Sequence, residues 1–201
     1  FFGKGIITGF ARINGFPVAI FANDSNFYAG SMSAEGAQKT SRFIRLCDTF
    51  RIPIVSLVDE PGFLIGPDAE RAGTILHGTE AVLATTESKV PWTTIMIRKS
   101  FGVAAAAHYG PDGYVLAWPS AESGPLPLEG GVAVAFKKEI ASAKNPEAKR
   151  KELEEKMAKN QSPFPRAEAF SVHEIIDPRE TRKYIALWAE RIQSQLKASL
   201  M

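Results

Sequence analysis

Three histidines, one cysteine and 22 carboxylates are among the side chains of this 201-residue chain that could do nucleophilic, acid–base or metal chemistry. Their spacing is unpromising. His77, His108 and His173 have no partners at metal-ligand intervals, and the lone Cys47 cannot build a zinc site, so no metal is expected. There is no Gly-x-Ser-x-Gly elbow, no phosphate-binding Gly-x-x-x-x-Gly-Lys loop and no Gly-x-Gly-x-x-Gly. His108 follows an alanine run, pairs by spacing with no nucleophile, and reads as a packed or surface histidine. Glu70 and His77 stand two helical turns apart on one face, which reads as a solvated pair.

Backbone chemistry is left. Trp92 to Arg98 reads as a strand, Lys99-Ser100-Phe101-Gly102 as a turn, and Val103-Ala104-Ala105-Ala106-Ala107-His108 as the start of a helix. The turn places successive N–H groups, from Gly102 through Ala104, at a helix N-terminus. These donors lack intrahelical acceptors and sit at the positive end of the helix dipole. Such donors make an oxyanion hole without any catalytic side chain. An ordinary strand-to-helix turn has the same spacing, and spacing alone does not choose between them. A second stretch has the same grammar. An apolar, β-branched run from Ile52 reaches Asp59-Glu60-Pro61-Gly62-Phe63, where Pro fixes φ and Gly permits positive φ. That loop is either part of a site or a tight turn with Phe63 tucked into the core. If the two strands are neighbours, both loops reach one edge of the sheet and form one pocket.

Other elements must position these loops. Residues 6–13 and 17–22 read as strands joined by Asn14-Gly15, the signature of a type I′ hairpin. Ser33 is placed to cap a helix over residues 34–50, with Ala37, Thr40, Phe43, Ile44, Cys47 and Phe50 as its buried stripe. Asp68 would cap a helix to about residue 86, with Ile75, Thr79, Val82 and Leu83 inward. Residues 114–118 read as a short strand, 120–131 as irregular, and 132–143, 146–159 and 167–176 as helical. Asp177-Pro178 opens a last helix whose apolar face is Ile185, Trp188, Ala189 and Ile192. Strands alternating with helices, with no linker and no repeat, predict a single α/β domain over residues 1–201.

Composition removes several function classes. The chain is 45% hydrophobic and 23% charged, the balance of a water-soluble globular domain. Lys plus Arg number 24 against 22 acids, a net charge of +2, which gives no footprint for nucleic acid. The mixed-sign run over 137–159 reads as a solvated helical face. No apolar run has the length of a membrane span, and one cysteine fits a reducing compartment. No signal peptide is visible at Phe1-Phe2-Gly3-Lys4 and the sequence does not begin with Met, so a piece of a longer chain is expected.

Taken in order, the residues resemble a known family. Gly9-Phe10-Ala11-Arg12-Ile13-Asn14-Gly15 matches it, as do Arg42-Phe43-Ile44-Arg45-Leu46-Cys47-Asp48 and the run from Ile52-Pro53 to Asp59 with Pro61-Gly62-Phe63. So do Val90-Pro91, Arg98-Lys99, Trp118-Pro119-Ser120-Ala121-Glu122 and Ile176-Asp177-Pro178-Arg179-Glu180-Thr181-Arg182. The chain resembles the C-terminal half of the carboxyltransferase β subunit of biotin-dependent acyl-CoA carboxylases, such as propionyl-CoA carboxylase. The resemblance implies a crotonase-like α/β fold, a spiral of ββα units. It implies transfer of a carboxyl group between carboxybiotin and the α-carbon of an acyl-CoA, with the cofactor carrying the hard chemistry. Biotin would arrive on a partner. The N–H groups at Gly102, Val103 and Ala104 would form the oxyanion hole for its ureido oxygen, Gly62 and Phe63 would line the same pocket, and Ala105 and Ala106 would meet the acyl group.

The implied partners are an N-terminal carboxyltransferase half, a biotin carboxyl carrier and a biotin carboxylase, in a homo-oligomer located in the cytoplasm or the mitochondrial matrix. Three departures from the family pattern stand out. Val103 replaces a second glycine, Ala105 and Ala106 replace an aromatic and an acyl-selecting residue, and Leu126-Pro127 replaces a Met-Gly pair. They point to a different or reduced acyl pocket. Another acyl-CoA enzyme on the same fold, or a non-catalytic assembly subunit, is the alternative reading.

Overall fold

The structure is a computed structural model, and it describes residues 2–193 and 196. Strands β1 (Ile6–Ile13) and β2 (Phe16–Asn23) form the expected hairpin. Asn14 and Gly15 turn it with φ of 49° and 86°, the pair of positive values that a type I′ turn needs. Helix α1 (Ala34–Phe50) begins where Ser33 accepts a hydrogen bond from the Gly36 N–H at 3.1 Å, and it ends at Arg51 in the left-handed region. Ala37, Thr40, Phe43, Ile44 and Cys47 are buried as the spacing predicts. Phe50 is not. It occupies the last helical turn, the chain reverses at the next residue, and its ring stays exposed.

Strands β3 (Ile54–Glu60) and β4 (Trp92–Phe101) follow β2 in parallel, and β5 (Tyr114–Ala117) follows β4. Strand β6 (Glu122–Gly124) pairs with the end of β4, within a stretch expected to be irregular. Three ladder pairs, Lys99–Glu122 to Phe101–Gly124, order it despite Pro125 and Pro127 close behind. Strand β7 (Glu174–Ile175) completes the sheet beside β5. This strand replaces part of the helix expected over 167–176. The helix there, α8 (Pro163–Glu168), starts earlier, because Pro163 sits at its first turn where no N–H is needed. It stops where Phe170 takes φ 56°, and the Arg166 carbonyl is capped by the Ser171 and Val172 N–H groups.

Three other helical expectations change in detail. The helix predicted from Asp68 is two, α2 (Pro67–Arg71) and α3 (Thr74–Thr86), split at Gly73 with φ 72°. The inward face of α3 is Thr74, Gly78, Ala81, Ala84 and Thr85. Of the residues expected inward, Val82 is half-buried, whereas Ile75, Thr79 and Leu83 are exposed. Small residues face inward because α3 packs closely against α1 and leaves no room for large ones. The predicted 132–143 helix breaks at Phe136 into α5 (Leu128–Ala135) and α6 (Lys137–Ser142), with α4 (Gly102–Ala106) earlier in the chain. Helix α7 (Pro146–Gln161) is the solvated charged helix expected, bound to α6 through Lys149–Glu139 and internally through Arg150–Glu154.

Both faces of the sheet are covered. Phe21, Ile54 and Trp92 face α1, α3 and Ala104 of α4, whereas Val18, Val55, Ile95 and Leu116 face α9 (Thr181–Arg191). Asp177 caps the approach to α9 by accepting from the Arg179 N–H at 2.9 Å. Ile185, Trp188, Ala189 and Ile192 are buried as predicted. Alternation of neighbours between two cores explains the near-continuous apolar runs in β3 and β4. Among the described residues, no helix is long and apolar enough to cross a membrane.

Cys47 reports on this core. Burial, with a smaller contribution from the Asp48 charge, pushes its thiol up to about 12 from 9.0. The neutral form is the one the fold favours, so this contribution to stability is complete below pH 9 and declines as pH rises toward 12. A thiol reagent at pH 8 is therefore expected to label Cys47 only after denaturation; labelling of the native protein at the rate of a free thiol would contradict this packing.

Candidate functional site

Strands β3 and β4 are adjacent, with Glu60 opposite Ser100, so their two loops share the carboxyl edge of the sheet as expected. The residue that organises this edge is Glu60, which is completely buried. Its Oε1 accepts from the Gly62 N–H at 3.0 Å and the Met32 N–H at 3.2 Å, and its Oε2 accepts from Asn23 Nδ2 at 2.9 Å. Asn23, at the end of β2, also donates to the Gly30 carbonyl and accepts from the Asp59 N–H. One carboxylate thus ties the ends of β2 and β3 to the segment before α1. The Gly62-Phe63 loop continues this stitching, since the Leu64 N–H donates to the Met32 carbonyl at 2.9 Å.

Two glycines make the arrangement possible. Gly62 has φ 133°, a conformation that side chains rarely adopt. A Cβ on Gly78 of α3 would stand 2.4 Å from the Phe63 ring, so the ring occupies the space that the missing side chain leaves. Phe63 is indeed tucked against the core, the tighter of the two readings of that loop. On the other side, Asp59 accepts from Arg98 Nε at 3.0 Å and from the Lys99 N–H at 3.1 Å. This contact links the β3 loop to the end of β4, and it holds the Arg98 guanidinium more firmly protonated.

His108 lies below the loops and is a packed histidine. It is fully buried, stacked on Phe21 with ring centroids 4.2 Å apart, and its Nδ1 is 2.9 Å from Ser56 Oγ. Its Nε2 is 3.8 Å from Glu60 Oε2, beyond hydrogen-bond reach. The pair read from Glu70 and His77 does not form. Gly73 puts the two residues on different helices, and His77 instead meets Gln38 at 2.8 Å and Glu80 at 3.2 Å.

The turn into α4 is made by Gly102 at φ 65°. The positive φ falls on this glycine; Val103 follows it in the helix at an ordinary value. Val103 is 67% exposed, so its side chain stands in open space and is not wedged beside its own N–H. No side chain caps the N-terminus of α4. Ala104 and Ala105 are buried, while Gly102 and Ala106 reach the surface. Gly102, Ala105 and Ala106 line a recess of about 320 Å³ with Ser100, Tyr109 and Ser123. Val103, Ala104, Gly62 and Phe63 lie outside that lining. A larger groove of about 890 Å³, lined by Asp48, Ser88, Trp92 and Trp188, contains none of the predicted site residues.

Sequence reasoning missed Asn23, Glu60 and Ser123. Glu60 had one legible signal, an acid ending an apolar strand just before Pro-Gly. Asn23 and Ser123 had none: the partners of Asn23, Glu60 and Asp59, lie far along the chain, and the burial of Ser123 is set by the fold.

The Glu60 network predicts a specific response to substitution. Glu60→Gln keeps the shape but points an amide donor at Asn23 Nδ2 or at the two loop N–H groups. Asn23 cannot flip to compensate without losing Gly30 and Asp59. The variant is expected to lose about 2–3 kcal/mol of stability, measured by urea unfolding. A change near zero would show that the network does not anchor the loops. Gly78→Ala should displace the Phe63 ring, and its effect should register in the Gly62 and Phe63 amide resonances before it registers in the rest of the sheet.

Comparison with known proteins gives the family. Residues 1–199 match the carboxyl transferase domain family. The carboxyltransferase subunit of propionyl-CoA carboxylase from Haloferax mediterranei is 38% identical over 98% of this chain and 39% of its own length. The methylmalonyl-CoA carboxyltransferase 12S subunit of Propionibacterium freudenreichii subsp. shermanii is 39% identical over 92% of this chain and 36% of its own. The crystal structure of a transcarboxylase 12S hexamer, solved with methylmalonyl-coenzyme A bound, superposes with a TM-score of 0.88 at 38% identity. It covers 94% of this chain and 37% of that one. The chain therefore spans under two-fifths of the length of these curated relatives. The fold is the crotonase-like α/β fold expected from the resemblance, and by match, identity and structure this chain belongs to the carboxyl transferase domain family.

Proposed function

We propose that this chain is the biotin-side part of an acyl-CoA carboxyltransferase, with residues 1–201 forming one domain. The observation that carries this reading is the α4 N-terminus. Gly102 and Val103 are exposed, no side chain caps the donors, and the positive φ required to aim them is absorbed by a glycine. These features fit biotin, because a ureido oxygen needs accessible N–H donors and little bulk around them. When bound, biotin supplies the carboxyl carrier and the base for the acyl α-proton. The chain's residues hold and orient. The Val103 N–H, with the exposed Gly102 beside it, receives the ureido oxygen and stabilises negative charge developing on it, while the fully buried Ala104 backs the turn and Gly62 and Phe63 form the facing wall. The Asp59–Arg98 contact keeps the two loops at one spacing.

The substrate in this reading is an acyl-CoA brought mainly by an N-terminal half, since the chain spans little over a third of its relatives. Exposed Ile65, Ile75 and Leu76, in the segments that follow the β3 loop, provide apolar surface for that half. A homo-oligomer, a biotin carboxyl carrier and a biotin carboxylase complete the assembly, in the cytoplasm or the mitochondrial matrix. An acyl-CoA enzyme independent of biotin and a non-catalytic assembly subunit are the readings that the test below separates from this one.

The test removes a single donor. Val103→Pro deletes the N–H at the first turn of α4, where a helix tolerates proline. Val103→Ala keeps it. In the assembled enzyme the proline variant should lose about 10²–10³-fold in carboxyl transfer to acyl-CoA. The alanine variant should stay within a few-fold of the parent. Equal activity of the two would remove the oxyanion hole from Val103. Acyl-CoA turnover that needs no biotin would favour the biotin-independent enzyme, and assembly without any turnover would favour the non-catalytic subunit.

A further inference from the structure

The recess beside α4 contains polar groups that the carboxyl-transfer reading does not use. Its walls combine apolar Met96, Ala105, Ala106 and Val172 with the hydroxyls of Ser100, Tyr109 and Ser123 and the side chain of Arg166. Ser100 Oγ and Tyr109 Oη are 2.7 Å apart and satisfy each other. Ser123 and Arg166 are different. Ser123 is only 3% exposed, and its Oγ has no hydrogen-bond partner. Arg166 Nε is also buried without a partner, and among the described residues its guanidinium forms no ion pair. Buried donors of this kind are rare in folded proteins and call for an acceptor.

The position of Arg166 is built rather than incidental. Its carbonyl accepts from the Ser171 N–H at 2.9 Å, the Val172 N–H at 3.3 Å and Ser171 Oγ at 3.0 Å, which closes the turn at Phe170. Arg166 and Ser123, which β6 carries, line the same recess. The Tyr109 phenol senses the same charge: burial raises its proton affinity most, and the hydrogen bond with Ser100 and the positive charge of Arg166 oppose that rise.

We infer that this recess is a carboxylate-binding subsite for the acyl group, with Arg166 as the cation and Ser123 as a hydroxyl donor. The inference rests on the proposed acyl-CoA carboxyltransferase reading and deepens it by naming the substrate class. A guanidinium offers the parallel donors that a planar carboxylate accepts. The methyl-sized walls of Ala105 and Ala106 accept an acyl chain, so the ligand has an apolar body and an anionic tip. Two carboxylates have this shape: one at the far end of the acyl chain, and one on its C2, the group that is transferred.

Kinetics and binding with the assembled enzyme distinguish them. The substrates are an alkyl acyl-CoA, an ω-carboxyacyl-CoA of equal chain length, and a 2-carboxyacyl-CoA. Arg166→Gln should lower kcat/KM for the ω-carboxy substrate relative to the alkyl substrate by at least about tenfold, mostly through KM, if the carboxylate sits at the chain end. The alkyl and 2-carboxy compounds are the two sides of one reaction and share its transition state, so for C2 the readout is Kd: Arg166→Gln should weaken the 2-carboxyacyl-CoA relative to the alkyl acyl-CoA by at least about tenfold, and Arg166→Lys should restore part of either loss. Loss on the ω-carboxy substrate places the carboxylate at the chain end, and loss on the 2-carboxy substrate places it on C2. An equal effect on all three substrates, or no effect, overturns the subsite.

If the parent enzyme turns over no acyl-CoA, the carboxyltransferase reading fails and the subsite is judged by binding. In an NMR titration of the full-length protein, pentanoate should shift the Ser123 and Gly124 amides saturably in the parent and not in Arg166→Gln. Pentanamide, which lacks the charge, should shift neither. No response to millimolar pentanoate in the parent would mean that the recess holds water only, and would overturn the inference.

Discussion

A carboxylate taken out of water needs several hydrogen bonds to be tolerated, and Glu60 finds three. That requirement shapes the functional edge of the molecule. Each donor comes from a different segment: the end of β2, the approach to α1 and the loop after β3. None can move without leaving a buried carboxyl oxygen short of a donor. The loop that follows β3 is therefore held by these hydrogen bonds although it contains Pro61 and Gly62. A site whose work is done by backbone N–H groups needs this kind of support, because main-chain donors cannot adjust by changing rotamer.

The second support is steric. Phe63 fills the space above Gly78, and the Cβ positions of Gly30 and Gly62 are left empty for different reasons. A Cβ on Gly30 would stand 2.6 Å from the Asp59 carbonyl, so there glycine permits close approach of two backbones. At Gly62 space is open and only φ matters. The Asp59–Arg98 contact then carries the positioning across to β4. It is half-exposed on the arginine side, which limits its energetic worth in water, but its paired geometry fixes direction.

The alanine run after Gly102 has a structural consequence as well. Ala104 and Ala107 are fully buried, and a helix this slim lies close to the sheet. The same absence of bulk leaves the recess between α4, β6 and the α8–β7 turn. Polar groups cluster there because four separate segments each contribute one or two, and the unsatisfied donors among them are concentrated on Ser123 and Arg166.

Much was legible in the sequence by itself. The hairpin at Asn14-Gly15, the cap at Ser33, the β3 and β4 strands and the buried face of α9 follow from local rules, since turn φ, capping and side-chain period are decided within a few residues. The ordered motifs carried the family. Other features were decided by tertiary structure. Which side of α3 faces inward depended on how closely α1 approaches, and periodicity, which marks large aliphatics as buried, placed Ile75 and Leu83 on the wrong face. The split at Gly73, the strand at 122–124 and the strand at 174–175 depended on ladder partners far away in sequence. Glu60, Asn23, Ser123 and Arg166 acquire their meaning largely from neighbours distant in sequence, such as Met32 and Asn23 for Glu60, because burial and hydrogen-bond satisfaction are properties of the assembled fold and not of any window of sequence.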